Sequence, residues 1–317
     1  MDMPTKISIR EEAPREGFQS ESAIIPRDQK IAFIEALAAT GVKEVNCVSF
    51  VNARRVPQMA DAEEVVAGLK KRPGVRYIGT WLNEKGLERA LATQLDVGGK
   101  IGVAASDSFA RNNHGRDRAG VLAEQRRMLD LYKHHGIPID TAYVYVAFGC
   151  NYEGDVPASS VVAAIEGIHT ACAEIGEKPQ IVYLCDTVGW ANPLSVKRAV
   201  GMVRERWPDL KLGLHLHDTR GMGIANVLAG LELGVSAFDS SCGGLGGCPF
   251  SGSKTAAGNV CTEDIVQMCE EMGIATGIDL EAMIECARMA EDMVGHALPG
   301  RVMHAESVRS VRARAST

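Results

Sequence analysis

Leu212-Gly213-Leu214-His215-Leu216, running into His217-Asp218-Thr219, decides how the rest of the chain is read. Successive side chains of a strand point to opposite faces, so the leucines take one face and the two imidazoles share the other. Polar residues collect at the carboxyl end of this strand, and an apolar-periodic stretch, Gly223 to Leu233, follows. That is the pattern of a parallel strand, a polar strand end and a crossover helix.

Working outward, the same unit recurs. Candidate strands are Lys6 to Arg10, Glu44 to Ser49, Val75 to Thr80, Lys100 to Ala104, Asp140 to Val146, Gln180 to Leu184, Leu212 to Leu216 and Ala237 to Ser240. Helical periodicity lies between them, at Lys30 to Ala39, Ala62 to Lys70, Leu87 to Leu95, Gly120 to His134, Ser159 to Ile175, Pro193 to Glu205 and Gly223 to Leu233. Asp264 to Met272 supplies the last barrel helix, and Leu280 to Val294 one extra helix at the end. Eight strands alternating with helices predict an α/β fold, a (β/α)8 TIM barrel with an extra C-terminal helix. A doubly wound open sheet shares this order of elements. With 317 residues the chain suits one catalytic domain over 1–300, followed by a short basic tail, 301–317, expected to be poorly ordered.

Apolar residues make up 46% and charged residues 23% of the chain, ordinary globular usage that excludes general disorder. The formal charge of -6 is spread along the sequence and leaves no footprint for nucleic acid or an anionic membrane. No apolar run approaches the roughly 18 residues of a membrane span, and Met1 to Arg10 lacks the apolar core of a signal peptide, so a cytoplasmic location is expected. The nine cysteines, at 47, 150, 172, 185, 242, 248, 261, 269 and 286, include no CxxC pair and read mostly as small buried hydrophobes in a reducing compartment.

Ligands of α/β folds sit at the carboxyl ends of strands, and four clusters fall there. Arg15-Glu16-Gly17-Phe18-Gln19 sets a permanent cation beside a carboxylate, one suited to a developing oxyanion and the other to a hard divalent ion; the bland reading is a solvated pair in a loop. His215 and His217 are half of a plausible metal site, or else two hydrogen-bonded barrel-lining histidines. Gly243-Gly244-Leu245-Gly246-Gly247-Cys248-Pro249-Phe250 reads as a mobile lid carrying a thiol, or as a flexible loop with an incidental cysteine, and Asn259 beyond it offers an amide oxygen to magnesium or manganese. Asp186, in Cys185-Asp186-Thr187-Val188-Gly189, could orient a ligand or take a proton; alone, such a residue is more often a cap.

Taken in order, these pieces resemble the 3-hydroxy-3-methylglutaryl-CoA lyase family. The resemblance also includes Val48-Ser49-Phe50-Val51, Val56-Pro57-Gln58-Met59, Asn112-Asn113 and Gly149-Cys150-Asn151-Tyr152-Glu153-Gly154, and it runs from about Ile7 to Val294. It implies a carbon–carbon lyase that cleaves a 3-hydroxyacyl-CoA to acetyl-CoA and a keto acid. It further implies one Mg2+ or Mn2+ held by Glu16, His215, His217 and Asn259. Arg15, Cys248, Asp186 and His215 are the implied catalytic residues; Gln19, Asn46, Ser49 and Asn113 are the implied substrate-binding ones. Lyases of this kind resemble dimers, so a homodimer or higher homo-oligomer is expected.

The chain departs from the family pattern in places. Glu16 stands where the lyases have aspartate, Asn46 where lyases and related synthases carry glutamate, and Arg54-Arg55 where a Lys-Trp pair is usual. The stretch from Cys248 to Asn259 is two residues longer than in typical lyases. A related branched substrate such as citramalyl-CoA is therefore one alternative. A condensing synthase of the isopropylmalate or homocitrate type is another, although those carry a long C-terminal extension, and a non-catalytic CoA-ester-binding barrel is a third.

Overall fold

The computed structural model describes residues 3–247 and 257–316. Its eight principal strands are β1 (Ser8–Glu11), β2 (Glu44–Ser49), β3 (Arg76–Thr80), β4 (Gly99–Ala104), β5 (Ile139–Tyr145), β6 (Ile181–Cys185), β7 (Leu212–His215) and β8 (Ala237–Ser240). Helices follow them in turn, and this eightfold β/α alternation is that of a (β/α)8 barrel. By their contacts the described residues fall into two units, one built on 97–238 and the other on 5–96 with 239–247 and 257–316.

In the unit that begins with β1, β1 pairs in parallel with β2 and β2 with β3. The register between β2 and β3 shifts between Asn46 and Val48, and such a bulge re-aims the side chains around it. Helix Arg27–Ala39 buries Lys30, Phe33, Ile34, Leu37 and Ala38, the spacing of a single helical face. Phe33 packs its ring 5.2 Å from that of Phe18. The buried Lys30 keeps its charge solvated by protein, reaching Gln58 O and, at 2.7 Å, Asp61 Oδ1.

In the other unit, β4 to β7 pair in parallel in sequence order. Tyr143 stacks on Tyr145 and Tyr183 at 6.0 and 5.7 Å between ring centroids. Helix Pro193–Arg206 begins at Asn192, whose side chain accepts from Leu194 and Ser195 N–H while Ser195 Oγ accepts from Asn192 N–H, a capping box in which both ends are satisfied. Helix Asp107–His114, which carries Asn113 and was not anticipated from periodicity, is started by Ser106 and stopped by Gly115 at φ 65°.

Two expectations change. The Arg-Glu segment is not a loop: Ala13–Gly17 forms a wide helical turn in which Phe18 N–H reaches back to Ala13 O, and it continues into Phe18–Ser20. The glycine run is packed over its described part, Cys242–Gly244 forming a short helical turn of buried residues. Glycine is needed at 244 because φ is 71° and a Cβ there would lie 2.7 Å from Cys261 Sγ. Within the basic tail, Val308–Ala315 forms a helix; Ser307 caps it and both Ser307 and Ser310 bond Glu281, while Arg312 grips Glu271 with two nitrogens at 2.8 Å.

Candidate active site

At the carboxyl end of β1, the turn places three charges in a row. Glu12 is buried, and its Oε2 meets the Arg15 guanidinium. The same Arg15 Nη2 lies 3.0 Å from Glu16 Oε2. Burial pushes the Glu12 carboxyl above its ordinary range, and the positive charge of Arg15 opposes this. Glu12 was not singled out in sequence. It lies three residues before the Arg15 motif, but nothing local distinguishes it from the solvated acids that dominate such segments.

The sequence-predicted substrate residues of β2 divide between two neighbours. Asn46 Nδ2 donates to Glu12 Oε2 at 2.9 Å and to Thr80 Oγ1 at 3.1 Å, so its amide is committed to a buried network. Ser49 Oγ donates to Gln19 Oε1 at 2.9 Å, and Gln19 is half-buried.

Asn259 is brought to Glu16. Its Nδ2 donates to Glu16 Oε1 at 3.1 Å and more weakly to Leu245 O at 3.4 Å. Its Oδ1 is buried without a hydrogen-bond partner, an unusual state for a buried polar atom and one that a cation would relieve. Beneath this pair, two buried carboxylates hold the base of the glycine run. Glu11 accepts from Ala13 and Cys242 N–H and from Thr262 Oγ, and Glu263 accepts from Gly243 N–H. Burial raises Glu11 to about 7 and Glu263 to about 8.

In the other unit, β7 delivers the histidine pair. His215 ends the strand and the buried His217 follows, with their Nε2 atoms 3.1 Å apart. This is the same-face placement that alternation predicts. Asp186, just past β6, is buried; its Oδ1 accepts from Trp190 and Ala191 N–H at 2.7 and 3.0 Å, while Oδ2 has no hydrogen-bond partner. Burial raises its pKa, and the nearby His217 and His215 work against that. Asp186 thus caps a turn with one oxygen, and its other oxygen makes no hydrogen bond. Val146, beyond β5, sits at φ 49° with its N–H bonded to Thr187 Oγ1, a strained setting for a β-branched residue of the sort that accumulates near active sites. Asn113 is exposed on its helix. Cys248 lies outside the described residues. The other eight cysteines are buried and not disulfide-bonded.

Strand-end acids, a guanidinium and an imidazole pair on an eightfold β/α alternation define an enzyme of the TIM-barrel class, since this fold keeps its chemistry at the carboxyl ends of its strands. The HMGL-like family model matches residues 6–290, and the chain belongs to that family. The cytoplasmic 3-hydroxy-3-methylglutaryl-CoA lyase of Rattus norvegicus is 38% identical over 287 residues, covering 89% of this chain and 80% of the relative. The hydroxymethylglutaryl-CoA lyase of Bacillus subtilis is 35% identical over 301 residues, 95% of this chain and 97% of the relative. A crystal structure of the Bacillus subtilis HMG-CoA lyase superposes with a TM-score of 0.88 at 34% identity, covering 96% of this chain and 99% of that one. An HMG-CoA lyase from Acinetobacter baumannii in complex with coenzyme A and 3-methylmalate gives 0.85 at 34% identity, with 96% of each chain covered. The chain is a carbon–carbon lyase. Among the described residues no helix is long and apolar enough to cross a membrane.

Proposed function

We propose that the chain cleaves 3-hydroxy-3-methylglutaryl-CoA, or a closely related branched 3-hydroxyacyl-CoA, to acetyl-CoA and a keto acid, with one Mg2+ or Mn2+ held by Glu16, His215, His217 and Asn259. The candidate ligands are one carboxylate, two imidazoles and the partnerless amide oxygen of Asn259, a mixed oxygen and nitrogen set that suits these ions. When bound, the ion supplies Lewis acidity toward the substrate's hydroxyl and an adjacent oxygen. Removal of the hydroxyl proton turns that oxygen into a ketone, breaks the bond between C2 and C3, and leaves the electron pair on the thioester as an enolate, which takes a proton to become acetyl-CoA.

The protein's own groups divide this work. Arg15 presents a permanent positive charge to the enolate oxygen. Asp186, with a free Oδ2 and a raised pKa, orients a histidine or relays the hydroxyl proton. Cys248, which lies outside the described residues, is assigned the return of a proton to the enolate. Gln19, Ser49 and Asn113 contact the substrate, and Asn46 acts from behind, through its bonds to Glu12 and Thr80. The relatives' names support the methylglutaryl ester, and the relative that holds coenzyme A with 3-methylmalate supports a branched hydroxy-diacid as the alternative acyl group.

The observation that carries the reading is the ion pair of Arg15 with Glu16 beside the orphaned Asn259 oxygen, an oxyanion-stabilising cation next to ligand atoms. We further infer a single catalytic domain over 1–300, a homodimer or higher homo-oligomer, and a reducing, cytoplasmic setting in keeping with the buried cysteine thiols. Incubating the purified protein with Mg2+ or Mn2+ and a panel of branched 3-hydroxyacyl-CoA esters should release acetyl-CoA and a keto acid. No acetyl-CoA from any ester, with tight ester binding by calorimetry, would leave a binding protein instead. Free CoA formed from acetyl-CoA and 2-oxo acids would mark a condensing enzyme.

A further inference from the structure

Glu12 lies outside the ligand set proposed above, yet both side chains that reach its Oε2 belong to the candidate site: the Arg15 guanidinium and, at 2.9 Å, the Asn46 amide. Asn46 is in turn 3.1 Å from Thr80 Oγ1, so the carboxylate at the end of β1 is braced through β2 to β3. Removing a carboxylate from water costs several kcal/mol, and an apolar residue of similar volume would avoid that cost. The bulge between Asn46 and Val48 is a second device aiming the same contact.

What the arrangement achieves is the fixing of a guanidinium. Arg15 Nη2 stands between two carboxylates, Glu12 and, at 3.0 Å, Glu16. Glu16 is assigned to the ion, whereas the charge of Glu12 stays with Arg15. We propose that Glu12 is a positioning residue whose carboxylate, braced by Asn46, sets the direction in which Arg15 presents its guanidinium to the enolate oxygen. The proposal rests on the lyase reading of Arg15.

A four-protein comparison tests it: wild type, Glu12→Gln, Asn46→Glu and the exchange Glu12→Gln/Asn46→Glu, each assayed for turnover and crystallised. Misdirecting a catalytic group by about 1 Å costs on the order of 100-fold, so Glu12→Gln should lose about that much kcat with KM little changed, and its Arg15 guanidinium should turn away. Asn46→Glu crowds two carboxylates together and should also be impaired. The exchange keeps one amide facing one carboxylate and should recover kcat at least about tenfold over Glu12→Gln, a rescue that a merely structural role would not produce. Glu12→Gln with kcat within about threefold of wild type, or with Arg15 unmoved in its crystal, overturns the proposal. Should Glu12→Gln fail to fold, Glu12→Asp serves: lowered kcat at unchanged KM supports it, and unchanged kcat overturns it. A wild type that turns over no ester fails the lyase reading, and the position of Arg15 in the Glu12→Gln crystal still decides whether Glu12 sets it.

Discussion

The Nε2 atoms of His215 and His217 lie 3.1 Å apart, so one ring donates to the other or both lone pairs face a common cation. Binding of a cation to the folded state stabilises it by about 2.7 kcal/mol at a concentration 100 times Kd. Mn2+ should therefore raise the urea midpoint of the wild type, and His217→Ala should abolish the rise. An equal rise in both proteins would place the ion away from this pair.

Arg15 meets two carboxylates through its Nη2, and an ammonium is not interchangeable with this planar, delocalised guanidinium. Arg15→Lys should lower kcat by about 100-fold, the scale of losing one oxyanion-stabilising donor, while leaving Mn2+-induced stabilisation intact. Steady-state kinetics beside a thermal melt separates the two effects. A kcat within a few-fold of wild type would remove Arg15 from the chemistry.

Glu11 and Glu263 titrate at about 7 and about 8 because they are buried. Their folded pKa values stand above the unfolded ones, so the stability they contribute is complete below about pH 4.5 and is lost as pH rises toward 7 and 8. At 1.36 kcal/mol per unit, the rise of Glu263 from 4.5 to about 8 accounts for a loss on the order of 5 kcal/mol over the whole window. Urea unfolding between pH 5 and 8 should show wild type losing stability relative to Glu263→Gln as pH rises; parallel curves would contradict this.

Gly244→Ala meets two obstacles at once. A left-handed backbone at φ 71° costs a residue with a Cβ about 1–2 kcal/mol, and the added methyl would sit 2.7 Å from Cys261 Sγ and 2.8 Å from Pro299 Cγ, with overpacking of about 1–3 kcal/mol. Destabilisation of about 2–4 kcal/mol is expected in chemical denaturation, with the far-ultraviolet spectrum retained.

Much of this was legible in the sequence because period-two and helical patterns are local. β2 and β8 fall at Glu44–Ser49 and Ala237–Ser240, as read from alternation and flanking turn residues, and the other strands differ only at their ends. The histidine pair was equally legible, since strand geometry alone puts His215 and His217 on one face. The turn at Ala13–Gly17 was not, because its wide hydrogen bonding has no periodic signature. Mobility was read from the glycines around 243–246, whereas positive φ and close packing explain the described ones. Glu12 escaped because its role comes from Asn46 and Thr80, residues 34 and 68 positions away that only the paired strands bring near. The helix Val308–Ala315 rests on Glu271 and Glu281, partners equally invisible to composition.

The most direct measurement is a crystal grown with Mn2+ and read by anomalous scattering. One manganese ion is expected, bound by Glu16, His215, His217 and the Oδ1 of Asn259, with the bond from Asn259 Nδ2 to Glu16 retained. Manganese at another place, or an ion bound by the imidazoles without Glu16, would contradict the shared site and the chemistry assigned to it.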